Sequence, residues 1–352
     1  MSRSRASRAD VIHASRGDVV VIGAGVIGLS SAARLLEAGY RVRVCAQSLP
    51  PALTSCVAAA FWYPFNVFPE QRVRVWADTS YRVFTELARV PETGVRVAPA
   101  LELLPGPSAP PSWSAVIPDY RAVGPSSLPA GYRDGFAFSS FVIETPIYLP
   151  WLLRTVIELG GELETRTLAS LDDAPACDLL VNCAGLGSGA LVGDTAVVPV
   201  RGQLVRVENT GVERVTVDEH GPGGAITYIV PRSRDVVLGG TAERGSTRLE
   251  PDSEATAQIL ARCRALEPRL ARARVLGVDV GLRPCRDELR LELERGRSGA
   301  PVLHNYGHGG AGVTLSWGCA RELVELADAT LGRSLRAHSL EGARRCSGRA
   351  GR

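Results

Sequence analysis

Two glycine-rich turns carry the most legible chemistry in this chain. Near the start, DVVVIGAGVIGLSSAARLLEAG (residues 18 to 39) sets Gly23-Ala24-Gly25-Val26-Ile27-Gly28 in G-x-G-x-x-G spacing. Near the end, PVLHNYGHGGAGVTLSWGCA (residues 301 to 320) sets Gly309, Gly310 and Gly312 between an apolar run and an amphipathic helix pattern. A turn stripped of side chains lets backbone approach a ligand, and the helix that follows offers unpaired N–H groups to an anion. Two such turns can face one extended anionic ligand, which points to a dinucleotide such as FAD. His304 and His308, four apart, would make a metal pair on a helix. They straddle a strand end and a glycine turn, which favours structural hydrogen bonding to the adjoining loop, and no metal site is expected.

These turns need strands and helices to hold them. The first lies between a Val/Ile strand and a helix closed by Gly39, and RVRVC (41 to 45) reads as the second strand of a mononucleotide-binding half. That strand ends Cys45-Ala46-Gln47-Ser48, where an acidic residue usually accepts ribose hydroxyls; Gln47 and Ser48 are the candidates here. Thr54 and Ser55 then present hydroxyls ahead of the small run Val57-Ala58-Ala59-Ala60, on which a planar ring could lie; a plain helix cap is the other reading. From residue 61 the pattern breaks into FWYPF, a helix of period 3.6 through Val73, Trp76, Ala77, Ser80, Phe84 and Leu87, and a proline-rich stretch at 105 to 129. YLPWLLRTVIEL (148 to 159), ELETRTL and DLLVNCAG restore α/β alternation. A β-rich passage follows through RGQLVRV, TYIVPR, DVVLGGT, ARVLGVDVGLRP and LRLELER, with one helix near 252 to 266.

Composition sets the outer limits. The chain has 352 residues, 45% of them hydrophobic, enough for a large core and two domains. The sequence shows no apolar run of membrane-spanning length and no signal-peptide pattern, so the expected location is cytoplasmic. Eight cysteines without a C-x-x-C pair suggest neither zinc nor a disulfide framework. The net charge of +3 comes from arginines in the two tails, which read as disordered extensions rather than nucleic-acid or lipid contacts. There is no lysine, which excludes a pyridoxal Schiff base and a Walker-type phosphate loop.

In order, GAGVIGLS, TSCVAAAFWYPF, VNCAG, RGQLVRV, TYIVPRSRDVVLGGT, GLRP and HNYGHGGAGVTLSWGCA resemble the D-amino-acid oxidase family of FAD-dependent amine oxidases, over roughly residues 18 to 325. The resemblance implies an α/β fold: a Rossmann-type FAD-binding domain (18–60, 147–198 and 301–332) with an inserted, mostly antiparallel α+β substrate domain (61–146 and 199–300), between tails at 1–17 and 333–352. It implies hydride transfer from a D-amino acid to flavin, with O2 as final acceptor and peroxide, ammonia and a 2-oxo acid as products. Arg283 matches the arginine that grips the substrate carboxylate, a task suited to a planar fork, and Tyr228 the tyrosine that meets the same group. Gly310 falls where a backbone carbonyl receives the substrate amine. Gly309, Gly310, Ala311, Gly312, Val313 and Thr314 would wrap the flavin ring, and Leu168 would offer a main-chain contact on the adenine side. A structural Arg283 and a merely packed Tyr228 are the alternatives.

Some positions depart from the family. Gly224 stands where many members place a second, pocket-covering tyrosine, and Ala242 where members specific for acidic substrates carry arginine, which favours neutral or basic substrates; Arg232, Arg234 and Arg244 lie near enough in sequence to complicate that reading. Phe61, Trp62 and Tyr63 imply an aromatic, apolar lining. An oxidase of glycine, an N-alkyl amino acid or a biosynthetic amine, and a flavoprotein without turnover, are the competing functions; a nicotinamide dehydrogenase fits less well. The expected partners are a D-amino acid and O2, with a homodimer left open. Because a side chain at Gly25 would block approach to the pyrophosphate, Gly25→Val is expected to purify without stoichiometric flavin; a variant as yellow as the parent would remove that role.

Overall fold

The computed structural model describes residues 15–347 apart from 65, 222–223 and 297–298. Residues 1–14 and 348–352, parts of the expected disordered tails, lie outside the described residues. In chain order the strands are Asp18–Ile22 (β1), Arg41–Ala46 (β2), Val95–Leu104 (β3), Arg121–Val123 (β4), Asp134–Ile143 (β5), Glu162–Thr165 (β6), Leu179–Asn182 (β7), Val198–Glu208 (β8), Val215–Asp218 (β9), Thr227–Pro231 (β10), Asp235–Gly239 (β11), Glu243–Arg244 (β12), Val275–Arg295 (β13) and Pro301–His308 (β14). The helices are Val26–Glu37 (α1), Thr54–Val57 (α2), Glu70–Leu87 (α3), Thr145–Glu158 (α4), Gly187–Val192 (α5), Ser253–Leu266 (α6) and Gly312–Ser347 (α7).

Continuous apolar runs bury both faces of a strand, and the buried strands β1 and β7 sit at the centre of a parallel layer ordered β14-β7-β1-β2-β6. Its helices α1, α4 and α7 pack with Leu29, Leu35, Leu149 and Leu315, each fully buried. The rest of the sheet, β4-β5-β3-β9-β10-β11-β8-β13, is antiparallel except where β3 runs parallel to β9. A smaller core of Val205, Ile229, Leu238, Ile259 and Cys263 lies between this part and α6, which Asp252 caps by accepting from Ala255 N at 3.0 Å.

Several elements depart from the sequence reading. The two strands expected around 273–284 and 289–295 are one strand, β13, with a register irregularity between Cys285 and Arg290. Its first half pairs with β8 and its second with β14, so a neighbour on each side keeps it extended through Pro284. β3 and β5, a ten-residue antiparallel pair flanking the proline-rich stretch, carry no turn signal of their own and went unread. α4 starts three residues before the expected position, because Pro146 is tolerated in a first turn where N–H groups lack partners anyway. α7 continues to Ser347 through the segment expected to be a disordered tail, which is rich in strong helix formers (Ala, Leu, Glu and Arg).

Helix α3 docks on α7 of the parallel layer. The crossing is close because Gly318 faces the Trp76 backbone, where any Cβ would collide. Gly318 N donates to Ser80 Oγ at 2.9 Å, and Glu322 accepts from Trp76 Nε1 at 2.6 Å and from Arg72 Nη2 at 2.5 Å. Gly318→Val must push the helices apart, a misfit worth about 1 to 3 kcal/mol or more. Urea denaturation is expected to show that loss; an unchanged midpoint would mean the crossing is looser than it looks.

Candidate active site

One cavity of about 750 Å3 runs between the parallel layer and the antiparallel sheet. At its anion-binding end, β1 turns at Gly23 with φ of 105°, a conformation that favours glycine, and a Cβ there would strike the Cys183 carbonyl at the end of β7. Gly25, the N-cap of α1, has no side chain to bond the first-turn N–H groups, and Gly25, Val26 and Ile27 line the cavity. Ser55 Oγ accepts from Val26 N at 3.2 Å and thereby ties α2 to this turn. Gly28 does not line the cavity. It lies beneath the turn, where a Cβ would collide with the Gly23 carbonyl, so its part is to let α1 sit tightly under the loop.

Further along, the parallel neighbours β2 and β6 deliver Gln47 and Ser48 from one strand end, and Arg166 and Leu168 from the other, to the same wall. Thr54, Ser55, Ala59 and Ala60 continue it, and Gly309, Gly310, Gly312, Val313 and Thr314 close it from the opposite side. Gly309 needs its positive φ of 55° to turn from β14 into α7, and its N–H donates to Pro284 O at 2.9 Å. Ala311, fully buried, does not line the cavity; its N–H holds the turn through His308 O at 3.0 Å. Thr314 Oγ1 accepts from Tyr63 N at 3.2 Å and donates to Tyr63 O at 3.1 Å, joining segments far apart in sequence.

The other end holds Arg283 and Tyr228. Arg283 projects from the middle of β13, and its guanidinium fills the space a Cβ on Gly202 would occupy. Nη1 donates to Thr241 O at 3.0 Å, and no carboxylate of the described residues pairs with the side chain. Tyr228 is paired across the ladder with Gly239, and its ring lies over Gly239 and Gly240, which have no side chains to displace it. Burial pushes the Tyr228 phenol above its ordinary pKa, against the opposing pull of Arg283, so the hydroxyl remains a donor. A half-buried guanidinium with no carboxylate partner among the described residues, beside a protonated phenol, has the chemistry to receive a carboxylate.

Two expectations about the lining need correction. Phe61 and Tyr63 line the cavity with stacked rings, but alternation along the extended segment turns Trp62 the other way, into the core against Tyr81 and Trp113. The wall is also not simply apolar, because Glu219 lines it. Burial raises the Glu219 carboxyl to about 7, with neighbouring Glu102 and Asp218 adding to the rise and the nearby Tyr63 hydroxyl, whose own hydrogen bond goes to Glu102, opposing it. Nothing local in GVERVTVDEH marks this residue; it becomes a site residue only because β9 pairs with β10. Arg232, Arg234 and Arg244 do not line the cavity, and Arg232 is neutralised by Asp235. Gly224 is exposed and away from the cavity wall.

The histidines divide. His304 Nε2 meets Glu294 at 3.1 Å on the neighbouring strand rather than the loop toward which sequence pointed. His308 lines the cavity, burial pushes its pKa down to about 3, and its Nε2 has no partner. No cluster among the described residues could hold a metal.

These features fit FAD. An uncapped helix N-terminus suits the pyrophosphate, glycine and alanine surfaces suit a ring pressed against backbone, and His308 Nε2 and Asn305 Oδ1 are buried polar atoms in the cavity wall without protein partners. A raised carboxyl also has a thermodynamic signature. Between the unfolded value of 4.5 and about 7 the native state holds a proton that the unfolded chain has lost, so stability falls as pH rises through that window, by on the order of 3 kcal/mol. Glu219→Gln is expected to flatten that fall in the ligand-free protein between pH 5 and pH 8; identical pH profiles of the unfolding midpoint would contradict it.

The chain matches the family described as FAD dependent oxidoreductase over residues 18–326. It is 50% identical over 315 residues to a D-amino-acid oxidase of Rubrobacter xylanophilus, covering 89% of this chain and 96% of the relative. It is 35% identical over 324 residues to the D-aspartate oxidase of Homo sapiens, covering 88% and 94%. Among solved structures, glycine oxidase from Geobacillus kaustophilus superposes with a TM-score of 0.73 at 17% identity, covering 90% of this chain and 95% of that one, a likeness of fold. With its glycine turns, uncapped helix and paired sheets all inside the matched span, the chain belongs to the FAD dependent oxidoreductase family.

Proposed function

We propose that the chain is an FAD-dependent D-amino-acid oxidase. The observation that carries the reading is Arg283: a guanidinium without a carboxylate partner, fixed by Thr241 O and set beside Tyr228 in the same cavity as both glycine turns. The 50% identical relative named D-amino-acid oxidase supports the same conclusion.

In this reading Gly23, Ala24, Gly25, Val26 and Ile27 receive the pyrophosphate, Gln47, Ser48 and Leu168 flank the adenosine end, and Thr54, Ser55, Ala59, Ala60, Gly309, Gly312, Val313 and Thr314 flank the ring. Gly28 and Ala311 act from behind by shaping the two turns. Bound FAD supplies a two-electron acceptor for the hydride at the substrate Cα. Arg283 holds the substrate carboxylate in a two-pronged grip and Tyr228 donates to it, which fixes one end of the amino acid. The Gly310 carbonyl accepts from the α-amine, which fixes a second point, and the two together set which face of Cα is presented. His308, kept neutral by burial, offers the wall a lone pair or an N–H without bringing a competing charge. The amine is oxidised to an imine that hydrolyses to a 2-oxo acid and ammonia, with O2 as the final acceptor and peroxide the product. The seven described cysteines are free thiols, in keeping with a cytoplasmic setting.

Peroxide release from the FAD-loaded protein, measured against paired D- and L-amino acids with glycine and sarcosine, is expected to follow the D-enantiomers alone; turnover confined to glycine or sarcosine would replace this reading. Arg283→Ala should keep its flavin and raise KM about a hundredfold or more, since losing one partner of a desolvated charge pair costs about 2 to 5 kcal/mol. Unchanged kinetics would remove Arg283 from the substrate site.

A further inference from the structure

Two carboxyls and two phenols, Glu219 and Tyr63 on the cavity wall and Glu102 and Tyr120 behind it, form a cluster whose hydrogen bonds do not balance. Tyr63 donates its hydroxyl proton to Glu102 Oε1 at 2.8 Å, and Tyr120 donates to Glu102 Oε2 at 3.3 Å. Each phenol has one proton to give. Both go to Glu102, the carboxylate that lies behind the wall, and Glu219, the one that lines the cavity, keeps a buried Oε1 with no partner. A buried carboxylate oxygen in that condition costs free energy until a donor or a counter-charge reaches it. No side chain among the described residues pairs with this oxygen, and the cavity that Glu219 lines is open to a ligand that would.

The ladder shows where that partner would sit. Val217 on β9 pairs with Tyr228 on β10, and both line the cavity. Glu219 lies two residues beyond Val217 on the same alternating face, about 7 Å further along the wall. Ile226, opposite it, lines the cavity as well. A carboxylate held at Arg283 and Tyr228 therefore shares this wall with Glu219, which stands one ladder repeat further along it.

We propose that Glu219 determines specificity for the substrate side chain, selecting D-amino acids whose side chain ends in a guanidinium or ammonium group by pairing with that charge. This rests on reading the cavity as a D-amino-acid site and narrows the substrate class within it. A cation at this position brings the donor that Tyr63 and Tyr120 do not supply and neutralises a carboxyl that burial, with Glu102 and Asp218 adding to it, otherwise presses toward protonation. An apolar side chain of the same length would bury Glu219 without a partner, and an acidic one would oppose it.

The test compares shape-matched substrates on the FAD-loaded enzyme: D-arginine against D-citrulline, its neutral urea counterpart, and D-lysine against D-2-aminoheptanoate, in which a methyl replaces the ammonium. The cationic member of each pair is expected to have the higher kcat/KM by roughly 10- to 100-fold, the worth of a charged hydrogen bond, and Glu219→Gln should collapse that ratio. Glu219→Asp, which keeps the charge, should restore part of it. A readout independent of turnover is equilibrium dialysis with 5-guanidinopentanoate against 5-ureidopentanoate, which lack the α-amine and cannot be oxidised; the guanidino ligand should bind more tightly, and the preference should vanish in Glu219→Gln. Turnover of neutral D-amino acids with a ratio near one, or a ratio that survives Glu219→Gln, overturns the role of Glu219 alone. Absence of turnover with every D-amino acid, together with no binding of either carboxylate, overturns the D-amino-acid reading itself and the proposal with it.

Discussion

Strand β13 is the constraint on which the site depends. It is 21 residues long, pairs with β8 over its first half and with β14 over its second, and so belongs to both parts of the sheet at once. Cys285 marks the handover, facing Val198 on one side and His308 on the other. Arg283 sits two residues before that point. Its backbone is held by the antiparallel sheet while the turn at Gly309 hangs by a hydrogen bond from Pro284, the next residue. The two ends of the cavity are thus measured off along one continuous backbone, and the distance between Arg283 and the turn at Gly309 does not depend on a flexible linker.

The same economy governs the side chains around Arg283. Gly202, Gly239 and Gly240 give up their own side-chain space so that a guanidinium and a phenol can lie flat against β8 and β11. Glycine weakens a strand on its own account. Here the loss is offset because Tyr228 covers the backbone that the glycines would leave bare, much as an aromatic neighbour shields a strand glycine elsewhere. Burial then keeps the phenol protonated and leaves the guanidinium without an internal counter-ion, so the pocket is preorganised for an anion before one arrives.

What sequence could reveal follows from where the information lies. The turns at Gly23–Gly28 and Gly309–Gly312 are local: strand, glycines and helix are contiguous, and each piece has its own signature. The α6 boundaries were legible for the same reason, through Asp252 and its helical period. Arg283 and Tyr228 were found through family motifs, not through spacing, and the structure then supplied the reason they act together. Glu219 and Glu102 were invisible because they are 117 residues apart and are joined only by β3 pairing with β9, an edge that no local pattern announces. β3 and β5 were missed beside a proline-rich stretch that reads as loop, and β13 was split at a proline whose neighbours on both sides keep it straight. Trp62 was placed with its neighbours although alternation in an extended segment must turn it away from them.

The order of strands in the parallel layer also bears on how the protein is made. β1 and its partner β2 leave the ribosome in quick succession, but the other neighbour of β1, β7, comes some 160 residues later and β14 later still. The clamp between Tyr63 and Thr314 joins residues 251 apart. During synthesis the βα unit at the start therefore waits with one open strand edge while the whole antiparallel sheet is laid down, and contacts of such long sequence separation form slowly. The parallel layer cannot be finished until β14 has been made, so a nascent chain short of it has no finished cavity, and its open β1 edge is the surface most in need of shielding until β7 arrives.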